Sequence, residues 1–193
     1  MFEANVYINR RRVLLEQMAS RTAEGNRGIA IFLGNVDAPT NYRGNDYKFR
    51  QDSSFIYYWG IDEPWFAAVL DLDSGDECLY GNDVDIDDII WMGPQPSVAS
   101  KGEAIGCAKT QPLAEFDKAV TAAVYAGRPV HFLPPARYYN QMKLAELTGK
   151  ANAAVRKGAP VAAGGASEEL VKSVVAMRLI KEQCEIEEID KAC

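Results

Sequence analysis

The hydrophobic positions of this chain follow two periods, and the longer one predicts helices. Residues 4–19 place Leu14, Leu15 and Met18 on one side of a helix, with Asn5 as its N-cap. A second amphipathic helix is predicted over 112–126, where apolar residues recur at i, i+3, i+7 and i+10 and a glycine follows. Shorter helices are predicted from residue 83 to Gly93-Pro94, over 137–147 and after a capping serine at 167. Residues 96–110 are predicted to form a short helix and a connecting strand.

Short apolar runs bounded by Gly, Pro, Asn and Asp predict the strands. They lie at 28–32, 55–59, 65–72, 77–80 and 129–133, and the run at 77–80 forms a hairpin with the strand before it. This order of elements predicts an α/β fold with three layers, α/β/α, and a mixed sheet. Residues 34–53 lack periodicity, and a loop of that length is usually functional, interfacial or mobile. Residues 159–166 are small and Gly-rich, which predicts a linker.

Composition narrows the class of protein. Of the 193 residues, 48% are hydrophobic, which is typical of a globular protein, and the net charge is -6. No basic face favours nucleic acid, and the densest basic run, Arg10 to Arg12, is interpreted as a solvated helix side. No apolar window is long enough for a membrane span, and the N-terminus does not resemble a signal peptide, so a cytoplasmic location is predicted.

Few residues suit catalysis. The only histidine, His131, lies on a short apolar strand and is interpreted as structural. The acidic run at 83–88 fails as a calcium loop, because Asp88 stands where glycine is needed and Pro94 where a carboxylate is needed. It is interpreted as a helix N-terminus with solvated carboxylates. The four cysteines show neither CxxC nor zinc-finger spacing, so reduced thiols are expected.

The aromatic residues between 55 and 65 are interpreted mostly as core, whereas Trp91 stands apart. Trp91 follows an acidic turn and precedes the break at Met92-Gly93-Pro94, which places it at a helix end. A large apolar side chain at such a corner commonly marks a contact surface.

Four segments, in this order, resemble the aminopeptidase P (Xaa-Pro aminopeptidase) family. They are the arginine-bearing helix near Arg10, Phe49 to Pro64 (FRQDSSFIYYWGIDEP), Trp91-Met92-Gly93, and Met177 to Ala192 (MRLIKEQCEIEEIDKA). Trp59 departs from the pattern, since a smaller residue such as threonine is expected before the glycine. The resemblance implies the ribonuclease-H-like N-terminal domain of that family for 1–178, and the start of its pita-bread peptidase domain for 179–193.

The resemblance also implies a function for the longer parent protein. Such an enzyme removes an N-terminal residue that precedes proline, using two divalent metal ions, usually manganese, held by carboxylates and one histidine of the peptidase domain. The 193-residue chain is therefore expected to bind no metal and to be inactive alone. Its implied partners are its own peptidase domain, further copies in a dimer or tetramer, and proline-containing peptides.

In this family the N-terminal domain helps to build the oligomer and shapes the entrance of the active site. By resemblance, these two roles are assigned to Trp91, Tyr42, Arg43, Asp46 and Arg50. Ile186, Ile189 and Cys193 form one helical stripe that packs in the peptidase domain of the family. Without that domain the stripe is expected to fray or to dock on another chain.

Three alternatives share the same two-domain plan. Prolidase cleaves dipeptides, creatinase is not a peptidase, and catalytically dead relatives act as peptide- or protein-binding modules, one of them a histone chaperone. The F-R-Q-D-S-x-F stretch favours aminopeptidase P over prolidase. Five intact metal ligands in the peptidase domain would indicate an enzyme, and their loss a binding module.

Overall fold

The computed structural model describes residues 2–42, 44–150, 158–159 and 166–193. The helices are α1 (Ala4–Ala19), α2 (Ser53–Trp59), α3 (Ile86–Met92), α4 (Val98–Ala104), α5 (Leu113–Tyr125), α6 (Tyr138–Thr148), α7 (Glu168–Leu179) and α8 (Gln183–Ala192). The strands are β1 (Ile29–Leu33), β2 (Ala67–Asp71), β3 (Glu77–Tyr80), β4 (Thr110–Gln111), β5 (Val130–His131), β6 (Gly158–Ala159) and β7 (Ala166–Ser167). Apart from its two ends, the predicted linker at 159–166 lies outside the described residues.

Five strands form one mixed sheet in the order β4-β3-β2-β1-β5. The pairs β1–β2 and β2–β3 are antiparallel, whereas β3–β4 and β1–β5 are parallel. The predicted hairpin is confirmed: Asp71 accepts hydrogen bonds from the backbone of Asp73 and Ser74 in its turn, and Val69 pairs with Cys78. Strands β6 and β7 form a separate parallel pair.

Helices cover both faces of this sheet, which confirms the three-layer α/β prediction. Since successive side chains of a strand point to opposite faces, Ile31 and Phe32 belong to different cores. Phe32 packs with residues of α1, α2 and α7, including Leu14 and Leu170. Ile31 packs with α5 and α6, where Phe116, Val120 and Leu144 supply the apolar stripe. Each predicted amphipathic face therefore meets one face of the sheet.

The segment 55–59 was predicted as a strand, and this is wrong because it forms most of helix α2. The Asp52 carboxylate accepts hydrogen bonds from the backbone N–H groups of Ser54 and Phe55, both at 2.9 Å, and so caps the helix. Gly60 ends it in the left-handed conformation, with φ +65°. A Cβ at Gly60 would lie 2.4 Å from Cζ of Tyr7, so close packing against α1 also requires glycine there.

Two predictions about α1 are corrected. Its N-cap is Glu3 rather than Asn5, and Glu3 makes no side-chain cap.

The interpretation of the arginine run as a solvated side is wrong for Arg10 and Arg11, which are only 2% and 1% exposed. Arg12 alone is on the solvated side, where it forms an exposed i,i+4 ion pair with a glutamate. Hydrogen bonds and ion pairs to other elements compensate the burial of the first two arginines.

Candidate functional site

The segments predicted to form the entrance or the oligomer contact leave the sheet at one edge. Strands β1 and β3 both run antiparallel to β2, so they point in the same direction. Residues 34–52 follow the end of β1, and residues 81–85 with helix α3 follow the end of β3. The loop and helix α3, which bears Trp91, therefore both begin at the edge of the sheet where β1 and β3 end, although they are far apart in sequence.

Trp91 lies in the last turn of α3 and is 88% exposed. Gly93 ends this helix with φ +76°, and its N–H donates to the carbonyl of Ile89 at 2.9 Å. Ile86 and Ile90 on the same helix are also largely exposed. The expected exposure of Trp91 at a helix end is confirmed, and its role in contacts stays a prediction.

Tyr42 and Asp46 belong to one compact turn of the loop. The N–H of Asn45 donates to the carbonyl of Tyr42 at 3.1 Å, and Asp46 forms an antiparallel bridge with Pro39. Tyr42 is exposed, as is the neighbouring Tyr47. Arg43 lies outside the described residues.

Arg50 has a different environment from the turn. Its carbonyl accepts a hydrogen bond from Asn35 Nδ2 at 2.8 Å, which fixes the end of the loop beside β1. Its side chain lines a crevice of about 510 Å³ together with Ile56 of α2, Arg178 of α7 and Ile189 of α8. Arg50 is thus placed beside the last helix of the chain.

Trp65 also lies at the edge of the sheet where the loop begins, and sequence reasoning missed its exposure. It is the one non-glycine residue with positive φ, +65°, in the part of the chain that the structure describes. Its ring is 43% exposed and packs edge-to-face on Tyr139, with 5.7 Å between ring centroids. Its indole N–H donates to Asp37 at 3.1 Å. The sequence signal was its position directly after Pro64, where the chain turns into β2.

Trp65 and Tyr139 form part of the wall of a pocket of about 230 Å³. Leu113 and Phe116 of α5 supply further apolar lining, and the ion pair between Lys143 and Asp117 completes the wall on the helical side. This arrangement suits an apolar side chain or ring, and it contains neither a histidine nor a thiol.

His131 is buried and fully hydrogen-bonded, which supports its interpretation as a structural residue. Its Nε2 donates to the carbonyl of Arg27 at 2.9 Å, and its Nδ1 lies 2.6 Å from Ser167 Oγ. Burial lowers the pKa of His131, so the ring is neutral near pH 7. Ser167 is itself buried, and its hydroxyl accepts a hydrogen bond from the backbone N–H of Leu170 as the predicted cap of α7.

The described residues do not fit a two-metal centre. They contain no group of three or more histidine, cysteine, aspartate or glutamate side chains that could hold a metal ion.

Cys78 and Cys107 are buried free thiols, and burial raises the pKa of both. Within the same part of the chain, no helix is both long and apolar enough to span a membrane.

Residues 7–131 match the family described as Aminopeptidase P, N-terminal domain. The chain belongs to this family. It is 30% identical over 114 residues to Xaa-Pro aminopeptidase 3 of Mus musculus, an alignment that covers 55% of this chain and 22% of that protein. It is also 35% identical over 71 residues to a probable Xaa-Pro aminopeptidase of Ajellomyces dermatitidis, covering 36% of this chain and 14% of the relative.

Solved structures of aminopeptidase P share the fold. A variant of the Escherichia coli enzyme superposes with a TM-score of 0.74 at 22% identity, over 100% of this chain and 42% of that one. Proline aminopeptidase P II from Yersinia pestis gives a TM-score of 0.71 at 21% identity, over 96% of this chain and 41% of that one. The chain thus spans less than half of each of these two aminopeptidase P structures. Its division at 178/179 stays a prediction.

Proposed function

We propose that this chain serves as the N-terminal domain of a metal-dependent Xaa-Pro aminopeptidase, and that it is not itself catalytic. The observation that carries the proposal is the family match over residues 7–131. The coverage of 42% of the Escherichia coli enzyme supports a second, larger domain in the parent protein. That domain would hold two divalent metal ions, with manganese as the proposed metal, and would act on proline-containing peptides.

The proposed role of this domain is to build the oligomer and to shape the active-site entrance. Trp91, Ile86 and Ile90 are exposed apolar side chains of the short helix α3. Burying such side chains at an interface contributes roughly 25 cal/mol per Å² of apolar area, and tryptophan is enriched among residues that dominate binding energy. Tyr42, Arg43, Asp46 and Arg50 of the loop after β1 are the proposed polar contacts.

The test uses the full-length parent enzyme and two matched variants. Tyr125 is a suitable control for Trp91, because both are aromatic residues that are 88% exposed. Tyr125 is the last residue of a different helix, α5. Trp91→Ala should lower kcat/KM for an Xaa-Pro peptide, or weaken assembly in sedimentation, by at least about tenfold. Tyr125→Ala should leave both unchanged.

Two outcomes separate the parts of the proposal. If Trp91→Ala and Tyr125→Ala both match the wild type, the entrance role of Trp91 is wrong while the enzymatic role of the parent stands. If the parent shows no Xaa-Pro cleavage with added manganese, the enzymatic role is wrong. The isolated 193-residue chain should be inactive under the same conditions.

A further inference from the structure

Arg10 lies at the point where four helices meet. It belongs to α1, and its Nη1 donates to the carbonyl of Tyr57 in α2 at 2.9 Å. Its Nε donates to Oε2 of Glu182 at 2.8 Å, and its Nη2 donates to the same oxygen. Glu182 is the residue directly before α8, so a buried cation of the first helix reaches the start of the last one.

Aromatic rings replace water around this guanidinium. Its Cζ lies 3.9 Å from the centroid of the Tyr57 ring and 5.2 Å from that of Phe2, both within the range of cation–π attraction. Arg178 of α7 also approaches the Tyr57 ring, at 5.2 Å. Burial by itself would lower the pKa of Arg10, but the hydrogen bond and charge of Glu182 outweigh it and the pKa is raised.

The first turn of α8 is organised around the same cation. Glu182 is its N-cap, and Glu185 completes a reciprocal capping box by accepting a hydrogen bond from the N–H of Glu182 at 3.1 Å. The Glu185 carboxylate lies 3.8 Å from Nη2 of Arg10. Both carboxylates that cap α8 are therefore ion-paired with α1.

Apolar burial does not explain how α8 is held. None of its residues is buried, and Ile186 and Ile189 are 40% and 51% exposed. A ten-residue helix is marginal when isolated in water. The polar contacts of its first turn join α8 directly to the buried side of α1.

We propose that Arg10 is a docking site for the N-terminal turn of α8. The cation binds the Glu182 carboxylate, so the N-terminal domain itself fixes the direction of helix α8. In a two-domain parent, α8 would move with the N-terminal domain instead of acting as a flexible joint. The proposal concerns contacts within this chain and does not depend on the proposed enzymatic function.

Hydrogen exchange on the 193-residue chain tests the docking site. In the wild type, backbone amides of α8 should exchange at least about tenfold more slowly than in an unstructured peptide of the same sequence. Glu182→Gln keeps the shape of the side chain but removes its charge, and it should abolish most of this protection. Glu187→Gln is the matched control, since Glu187 is an exposed residue of the same helix whose carboxylate accepts a hydrogen bond from Gln183 of that helix.

A second variant separates docking from capping. Arg10→Lys leaves the sequence of α8 and its capping box intact, yet removes the fork that binds Glu182 and the Tyr57 carbonyl. It should reduce α8 protection as Glu182→Gln does, while exchange in β1 and β2 reports whether the domain remains folded. If Arg10→Lys does not fold, the comparison of Glu182→Gln with Glu187→Gln decides alone.

Two results would overturn the proposal. One is rapid exchange throughout α8 in the wild type, which would mean that the helix is frayed despite Arg10. The other is equal protection in the Glu182→Gln and Glu187→Gln variants, which would mean that the carboxylate does not hold the helix. Either result would leave the proposed function of the domain unaffected.

Discussion

Arg11 provides a direct measure of how far buried charge stabilises this domain. Its Nε and Nη2 donate to the two carboxylate oxygens of Glu77 at 2.6 and 3.0 Å. Nη1 donates to the carbonyl of Tyr58 and Nη2 to that of Ile105, both at 3.0 Å. One side chain of α1 thus connects β3, α2 and the end of α4, and its Cζ lies 4.9 Å from the ring centroid of Trp59.

Arg11→Ala would leave Glu77 and two backbone carbonyls without these partners. Removing one side of a buried ion pair costs about 3–5 kcal/mol, because the other charge stays uncompensated. Arg12→Ala is the control in the same helix, since Arg12 and Glu16 form an exposed i,i+4 pair, which is worth only about 0.3–0.5 kcal/mol. For a chain of this size, about 2–4 °C in Tm corresponds to each kcal/mol. Arg11→Ala should therefore lower Tm by roughly 6–20 °C, and Arg12→Ala by roughly 2 °C at most.

Urea unfolding, followed by circular dichroism and tryptophan fluorescence, measures both free energies. Arg11→Lys should fall between wild type and Arg11→Ala, because an ammonium keeps the charge but cannot match the bidentate contact with Glu77. If Arg11→Ala and Arg12→Ala change the free energy of unfolding by the same amount, the buried network does not stabilise the fold and the reasoning is refuted.

Three further measurements follow from the buried groups. Burial lowers the pKa of His131 below its unfolded value, so the unfolded state takes up the proton first and stability should fall from pH 7 to 5, by up to about 1.4 kcal/mol per pH unit. His131→Gln should flatten that slope, and equal slopes would contradict the assignment. Burial raises the pKa of Cys107 to about 11. A thiol reagent at pH 8 should therefore modify the exposed Cys193 quickly, and the buried Cys78 and Cys107 only after unfolding. If a denatured, non-reduced sample titrates two thiols or fewer, the assignment of four free cysteines is wrong. The indole N–H of Trp59 is buried without a hydrogen-bond partner among the described residues. Trp59→Phe should therefore lower the free energy of unfolding by under about 1.5 kcal/mol, whereas Trp59→Ala should lower it by about 3–5 kcal/mol. Equal losses in the two variants would mean that the ring of Trp59 does not stabilise the fold by packing.

Periodicity predicted the elements whose apolar residues meet a single core. Helices α1, α5 and α6 each bury one stripe against the sheet, so a 3.6-residue repeat is visible in their sequences. Strand β1 was predicted because both its faces are covered and its residues form a continuous apolar run. The hairpin was predicted because its polar turn lies between two such runs.

The prediction failed at 55–59 because α2 is short and largely buried. Phe55, Tyr57, Tyr58 and Trp59 are all buried, so the segment has no polar face that would show a helical repeat. A short apolar run cannot be assigned to helix or strand by periodicity alone. The distinguishing signals were Asp52 before the segment and Gly60 after it, which are a helix cap and a helix end.

The burial of two arginines in the run at 10–12 could be predicted from the sequence, but their partners could not. Successive residues of a helix are about 100° apart, so three adjacent arginines span about 200° of the helix circumference. Arg10 and Arg11 stand at helical spacing before Leu14 and Met18, which places them on the buried stripe, and a charge at such a position requires a partner. Periodicity cannot name that partner, because Glu77 and Glu182 lie 66 and 172 residues further along the chain. Only the fold brings those carboxylates to α1, and for the same reason only the fold shows that the loop after β1 and the Trp91 helix begin at one edge of the sheet.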